Sequence, residues 1–359
     1  MMNSIEKRQL GFLVFFVPII FKVAMLPSML TKEMGNDAWF GILTMLILEF
    51  IQLFFIVSVV KEGGFPALKE KIGKGWYLLL TVPLLLVFGV KTIVYVAEGI
   101  NYVSTFLFYN TQKVNVTILL MIAVGYIAIA GVNTMGRLSE IMVWVLPVIF
   151  VVGFAFGEVR LKPEYVAPVL TNGYLPVLKG IGKYMMWTFD LTPLLFCSMT
   201  DKHPKRPLLP IAAVTCTVTI TVFYLLFIMN YGGSAQYIEH AFAALAAFNV
   251  VNTEIGSIDW PTITIWMGMM LIALGLKAYG AGKIGEGFGL PYRIGTVIFV
   301  AIATILCLFV FHNLEKGIAL GVSVMKYIVI AIDCLVPVVA FTVVKVLKAK
   351  EKMKEESAA

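Results

Sequence analysis

Residues 17–29 read VPIIFKVAMLPSM. With its flanks the run is apolar over about 10–30, the roughly 20 residues that a helix needs to cross about 30 Å of hydrocarbon. It nevertheless carries an ammonium group, Lys22, bracketed by Pro18 and Pro27. A charge at that depth costs at least about 2.5–3.5 kcal/mol on insertion scales and is tolerated where it meets a partner, a cavity or the bundle interior. A proline inside a helix removes one backbone donor and clashes with the preceding turn. The stretch therefore predicts a broken membrane helix with a buried charge at its interruption.

The rest of the chain supports that reading. Its 359 residues are 60% hydrophobic and 14% charged, against roughly 25% charged in an average soluble protein. A soluble fold of this size could not hide so much apolar surface, so the expectation is an all-α polytopic membrane protein. Its spans must be helical, because lipid offers no partner for free backbone groups. About ten segments qualify, approximately 10–30, 38–60, 76–108, 114–131, 138–157, 181–200, 207–231, 260–283, 292–311 and 318–346. No small-residue cleavage site follows the first, which reads as a retained helix.

The net charge of +7 is first a matter of topology. With the N-terminus inside, the inner connections hold Lys7, Arg8, Lys61, Lys69, Lys71, Lys74, Arg137, Lys202, Lys205, Arg206, Lys283, Arg293 and the tail from Lys345. They outnumber Lys32, Lys113, Arg160, Lys162, Lys179, Lys183 and Lys316 outside. The excess predicts both termini in the cytoplasm, and the tail KVLKAKEKMKEESAA (345–359) a solubilising end near anionic lipid.

Other classes are argued against. Cys197, Cys216, Cys307 and Cys334 lie in apolar runs without CxxC spacing, and His203, His240 and His312 lie in different connections. There is no phosphate loop, dinucleotide fingerprint or nucleophile elbow. No metal, cofactor, nucleic acid or enzymatic chemistry is expected.

Two connections read as more than loops. GFPALKEKIG (64–73) places Phe65, Leu68 and Ile72 on one helical face and predicts a short helix in the inner interface. SAQYIEHAFAALAAFNVVNTEIGSIDW (234–260) has an apolar centre too short to span, flanked by Glu239, Glu254 and Asp259. It predicts an outer re-entrant or surface helix, either a lid or simple surface packing.

The spans hold Lys22, Glu49, Lys91, Glu98, Asp190, Lys277, Lys326 and Asp333. Acids and bases balance, which suggests ion pairs within the bundle. Lys277, placed near a helix end, is expected to snorkel; the other seven form the expected buried network. Lys91, Tyr95, Glu98, Tyr102 and Thr105 share one face of the third span, facing either a cavity or hydrogen-bonding neighbours. Lys326 and Asp333 share a face of the tenth. The sixth span, GIGKYMMWTFDLTPLLFCSM (180–199), puts Asp190 three residues before Pro193. Interrupted first and sixth spans, each with a charge at the break, point to a five-plus-five inverted repeat with a ligand site at the midplane. The repeats would run from about 8–157 and 178–346, with 347–359 as tail.

SIEKRQLGFLVFF (4–16), NDAWFGIL (36–43), GRLSEIMVWVLPV (136–148), YVAPVLTNGYLPVLKGI (165–181) and GSIDWPTITIW (256–266) resemble the B subunits of spore nutrient germinant receptors, in order and over most of the chain. That family belongs to the amino acid–polyamine–organocation transporter superfamily, whose fold is the five-plus-five repeat. The resemblance implies residence in the inner membrane of a bacterial endospore and binding of a small nutrient, commonly an amino acid. It also implies assembly with an A subunit, taken as the ion-conducting part, and a lipoprotein C subunit. In these relatives the first break usually carries small residues, often a Gly-x-Gly type pair, whose amides and helix dipole hold a ligand carboxylate. This chain departs from that cradle: FKVAMLP (21–27) puts Phe21 and Lys22 there, and no glycine lies between Gly11 and Gly35.

The leading expectation is a nutrient-sensing subunit. Its ligand would touch Phe21, Lys22 and Val23, then Tyr95 and Glu98, then Phe189 and Asp190, with Trp266 or Met270 from the eighth span. A second reading is a proton- or cation-coupled transporter of an amino acid or amine, with Glu98 or Asp190 taking the proton or cation, or Lys22 standing in for the cation. A third is a scaffold whose charges fix helix register. The acid paired with Lys22 stays open among Glu49, Glu98, Asp190 and Asp333.

Overall fold

A computed structural model describes residues 4–106, 112–155, 161–171, 173–200, 207–247, 259–310 and 312–358. After a two-residue strand β1 (Ser4–Ile5), the first span is two helices, α1 (Lys7–Lys22) and α2 (Leu26–Met34). Helix α1 runs through Pro18 and ends on Lys22. Pro27 stands at the start of α2, where its missing N–H would have had no partner anyway. The break is thus Val23–Met25, beside Pro27 and not at Pro18.

The chain continues as α3 (Ala38–Val60), α4 (Gly64–Ile72), α5 (Lys74–Phe106), α6 (Lys113–Ala130) and α7 (Val132–Ala155). The sixth span opens with α8 (Tyr174–Tyr184), seven residues ahead of the expected start. It then gives way to a 3-10 turn (Met185–Trp187), an extended Thr188, Phe189 at φ 63° and a second 3-10 turn (Thr192–Phe196). Strand β2 (Ser198–Met199) follows and pairs in parallel with β1, Ser4 opposite Ser198. The chain's start is so tied to the end of the second break.

The remaining helices are α9 (Leu208–Tyr231), α10 (Ala241–Ala247), α11 (Asp259–Gly287), α12 (Tyr292–Phe309), α13 (Leu314–Val322) and α14 (Met325–Ala358). The expected single tenth span is two helices. Ser323 is extended and its hydroxyl accepts from Met325 N at 3.2 Å, starting a new helix that also absorbs the tail. Only a serine marks this break in the sequence, and serine is common within spans.

Six segments of the described chain are long and apolar enough to cross a membrane. Helices α1 and α8, with 16 and 11 residues, are too short alone because their spans are interrupted. Burial departs from that of a soluble protein in two ways. Leu119, Trp144, Ile211, Val214 and Phe309 are exposed, whereas Lys22, Glu49, Lys91, Asp190, Lys277 and Asp333 are buried. The outer surface suits lipid, and the polar centre is what the bundle encloses. Helix α1 packs on α7, α9 and α11, and α11 also packs on α5, α6 and α12.

Helix α4 forms as the sequence predicts, with Phe65 and Leu68 buried. It starts tightly against the second break: at Gly64 (φ +67°) a Cβ would lie 2.2 Å from the Cys197 carbonyl oxygen. Of the segment 234–260, α10 lies over the first break, with Ala241 N donating to Ala24 O at 2.9 Å. Glu254, named with that segment, and residues 256–258 of the GSIDW stretch lie outside the described residues, as do Arg160, Lys202, Lys205 and Arg206 of the charge tally.

Candidate functional site: a buried charge cage between two breaks

Ending a helix in the membrane leaves its last carbonyls without partners. At the first break they are met by side chains of neighbouring helices: Trp266 Nε1 donates to Ile20 O at 3.0 Å, and Tyr224 OH to Lys22 O at 3.0 Å. Phe21 stacks on Tyr95, centroids 3.6 Å apart and planes 11° apart, and meets Trp266 edge-on. With its ring held there, the next residue, Lys22, points to the opposing break.

Lys22 Nζ lies 2.9 Å from Glu49 Oε2 and 3.1 Å from Asp190 Oδ2. The partner of Lys22 is thus a pair of acids, one on α3 and one at the second break. Glu49 uses its other oxygen to accept from Asp190 N at 2.9 Å. One carboxylate on α3 so joins the ammonium of the first break to a freed amide of the second.

Asp190 is the hub. Besides Lys22, its Oδ1 accepts from Tyr95 OH at 2.8 Å and lies 3.4 Å from Lys277 Nζ and 3.7 Å from Lys91 Nζ. Lys91 donates to Thr188 O at 2.5 Å and Phe189 O at 3.1 Å, and pairs with Asp333 Oδ2 at 2.8 Å. The carbonyls of the second break are thus held by an ammonium from α5. Thr192 OH donates to Asp333 Oδ1 at 2.7 Å, and Gln52 Nε2 to Thr192 Oγ1 and Asp333 O. Three lysines face three acids, and the positive φ of Phe189 is held in place by the bonds on both sides of it.

Two expectations are corrected. Lys277 does not snorkel: α11 runs on to Gly287, and Lys277 is 1% exposed, its ammonium 4.8 Å above the Tyr95 ring. The apolar run ends near Lys277, which made it look terminal. Lys326 stands apart from the cage, with Nζ 3.4 Å from Lys183 O at the end of α8. Its shared helix face with Asp333 is real, but seven residues along α14 separate their partners.

Glu98 is in the same region but pairs with none of the three lysines. Its Oε1 accepts from Met25 N at 3.0 Å and its Oε2 from Trp187 Nε1 at 3.3 Å. Val23 caps α1. Met270 is buried against Gly99, where a Cβ would meet its Sδ at 2.3 Å. Of the ligand-contact and network residues named from sequence, all but Lys326 and Met270 therefore lie at the two breaks or contact residues there. Gln52, Trp187, Thr192 and Tyr224 were not named, being ordinary polar or aromatic residues of helices with no periodic signal of their own.

A helical bundle with two opposed broken helices and a charged midplane defines a membrane protein of the transporter-like class. The chain belongs to the spore permease family, described as spore germination protein, whose sequence model matches residues 4–315. Among solved structures it is similar to MhsT in complex with L-phenylalanine, at 14% identity and a TM-score of 0.61, covering 96% of this chain and 89% of that one. No curated protein gave a match by sequence.

Proposed function

We propose that this chain is the nutrient-sensing subunit of a spore germination receptor, binding a small molecule between the two breaks without covalent chemistry. The observation that carries the sensing reading is the origin of the cations around Asp190. A coupled transporter takes up a free cation or proton at its midplane acids and releases it on the other side. Here Lys22, Lys91 and Lys277 crowd Asp190 and are covalently attached. Asp190 so has its positive partners built into the chain and needs no free cation to balance it. In this reading a ligand acts by biasing how the two broken helices pack.

Family membership supports a role in germination, and the L-phenylalanine held by MhsT supports an amino acid or a related amine as ligand. In this reading the protein sits in the spore inner membrane with both termini cytoplasmic and passes its shift to A and C subunits. Two measurements on the protein in liposomes and spores test it. Labelled nutrient should not accumulate in liposomes with either a proton or a sodium gradient, while spores carrying the intact subunit germinate on that nutrient. Uptake abolished by collapsing the gradient would establish the coupled transporter instead.

A further inference from the structure

Glu98 stands outside the charge balance of the cage. Lys22, Lys91 and Lys277 meet Glu49, Asp190 and Asp333 and leave no net charge. Glu98 is 1% exposed, and among the described residues its carboxylate holds two N–H groups and no cation. One of those groups is Met25 N, the residue before the first turn of α2. The carboxylate therefore sits at the positive end of a half-helix. In midplane sites built from broken helices, that is where the carboxylate of a ligand is held. A group tethered on α5 competes there at high effective concentration against any free carboxylate. A buried anion held only by dipoles also attracts a positive charge, and more strongly away from water.

We propose that Glu98 supplies the carboxylate of the first break from within the chain, and that the site takes a small carboxylate-free amine whose ammonium rests on Glu98. This rests on the small-molecule reading above and narrows its ligand class.

The test uses the full chain in lipid nanodiscs, with thermal unfolding followed by tryptophan fluorescence. The probes are L-valine, its decarboxylated counterpart isobutylamine, and its deaminated counterpart isovalerate. Isobutylamine should raise the melting temperature of the wild type by several degrees, and isovalerate should leave it unchanged. In Glu98→Ala the pattern should reverse: isovalerate fills the vacated position and stabilises, and isobutylamine does nothing. Stabilisation of the wild type by isovalerate, or by L-valine above isobutylamine, overturns the proposal. So does a Glu98→Ala protein indifferent to isovalerate. If Glu98→Ala does not fold, Glu98→Gln keeps the shape and loses the charge; an amine response surviving in it is equally fatal. A wild type silent to all probes, beside an isovalerate-stabilised Glu98→Ala, would overturn the amine ligand and the small-molecule reading while leaving Glu98 as the built-in carboxylate.

Discussion

Lys22 has no water to turn to, so its two acids are what balance its charge. Removing one member of a buried ion pair costs about 3–5 kcal/mol, most of it from the charge left behind. Lys22→Met strands Glu49, while Asp190 keeps Lys277 and Lys91, and is expected to lower the melting temperature. The double variant Lys22→Met with Glu49→Gln should lose clearly less than the sum of the singles, since the stranded acid is removed too. Additive losses would show that the 2.9 Å pair is not an energetic unit. In spores, Lys22→Met is expected to abolish the nutrient response while immunoblots still find the protein in the membrane. A normal response at every nutrient concentration would leave Lys22 a packing charge only.

At the scale of elements, the breaks are held by what abuts them. Gly64, where α4 begins, has φ +67° and meets the Cys197 and Leu195 carbonyls; Gly73, which ends α4, has φ +80° and open space around it. Gly73→Ala is expected to cost only the roughly 1–3 kcal/mol of a non-glycine residue held at positive φ with extended ψ. Gly64→Ala must also push back rigid backbone and should cost distinctly more, read as a larger fall in melting temperature. Equal losses would mean that α4 does not brace the second break.

The helix α10 over the first break has its own sensitivity. His240 packs edge-on against Tyr102, 5.1 Å away, and its Nε2 lies 3.1 Å from Asn101 Nδ2, a contact that needs an unprotonated ring nitrogen. Burial pulls its pKa from 6.5 to about 4. The folded state thus favours the neutral ring. That stability is whole above about pH 6.5 and is lost as pH falls towards 4. Glu239, 4.0 Å from the ring, tempers the loss. Amide exchange at 241–247, corrected for its intrinsic pH dependence, should quicken between pH 7 and 4.5, and His240→Gln should flatten the change.

Across the whole molecule, α14 leaves the bundle as one rod and is pinned to the α3–α4 end of the bundle by two exposed ion pairs. Lys71–Glu351 measures 2.8 Å and Lys348–Glu62 2.7 Å. Such exposed pairs contribute little to stability and are screened by salt. Raising sodium chloride to about 1 M should speed tryptic cleavage after Lys350 and Lys352 without moving the melting temperature. Lys71 also holds the Glu351 carboxyl below its usual range, so acidifying below about pH 4 should release the tail in the same way. A shift of the global melt with salt would show that the tail belongs to the core.

Hydropathy determined the class, because lipid forces helices and each apolar run of sufficient length announces one. The two broken spans were legible too, since a charge beside a proline in an apolar run marks a helix that stops and meets a partner inside the bundle. Proline position alone misplaced nothing but did not locate the first break, because Pro18 fits inside α1 and only Pro27 opens a helix. The ending of α8 at Tyr184 and the split at Ser323 left no comparable mark; they follow from packing and local hydrogen bonds. Which charges meet was decided by tertiary structure alone. Lys22 and Asp190 are 168 residues apart, and helix periodicity relates only neighbours three or four positions away. The same limit hid Lys277 in the cage, kept Lys326 out of it, and set Glu98 apart on an amide of the first break.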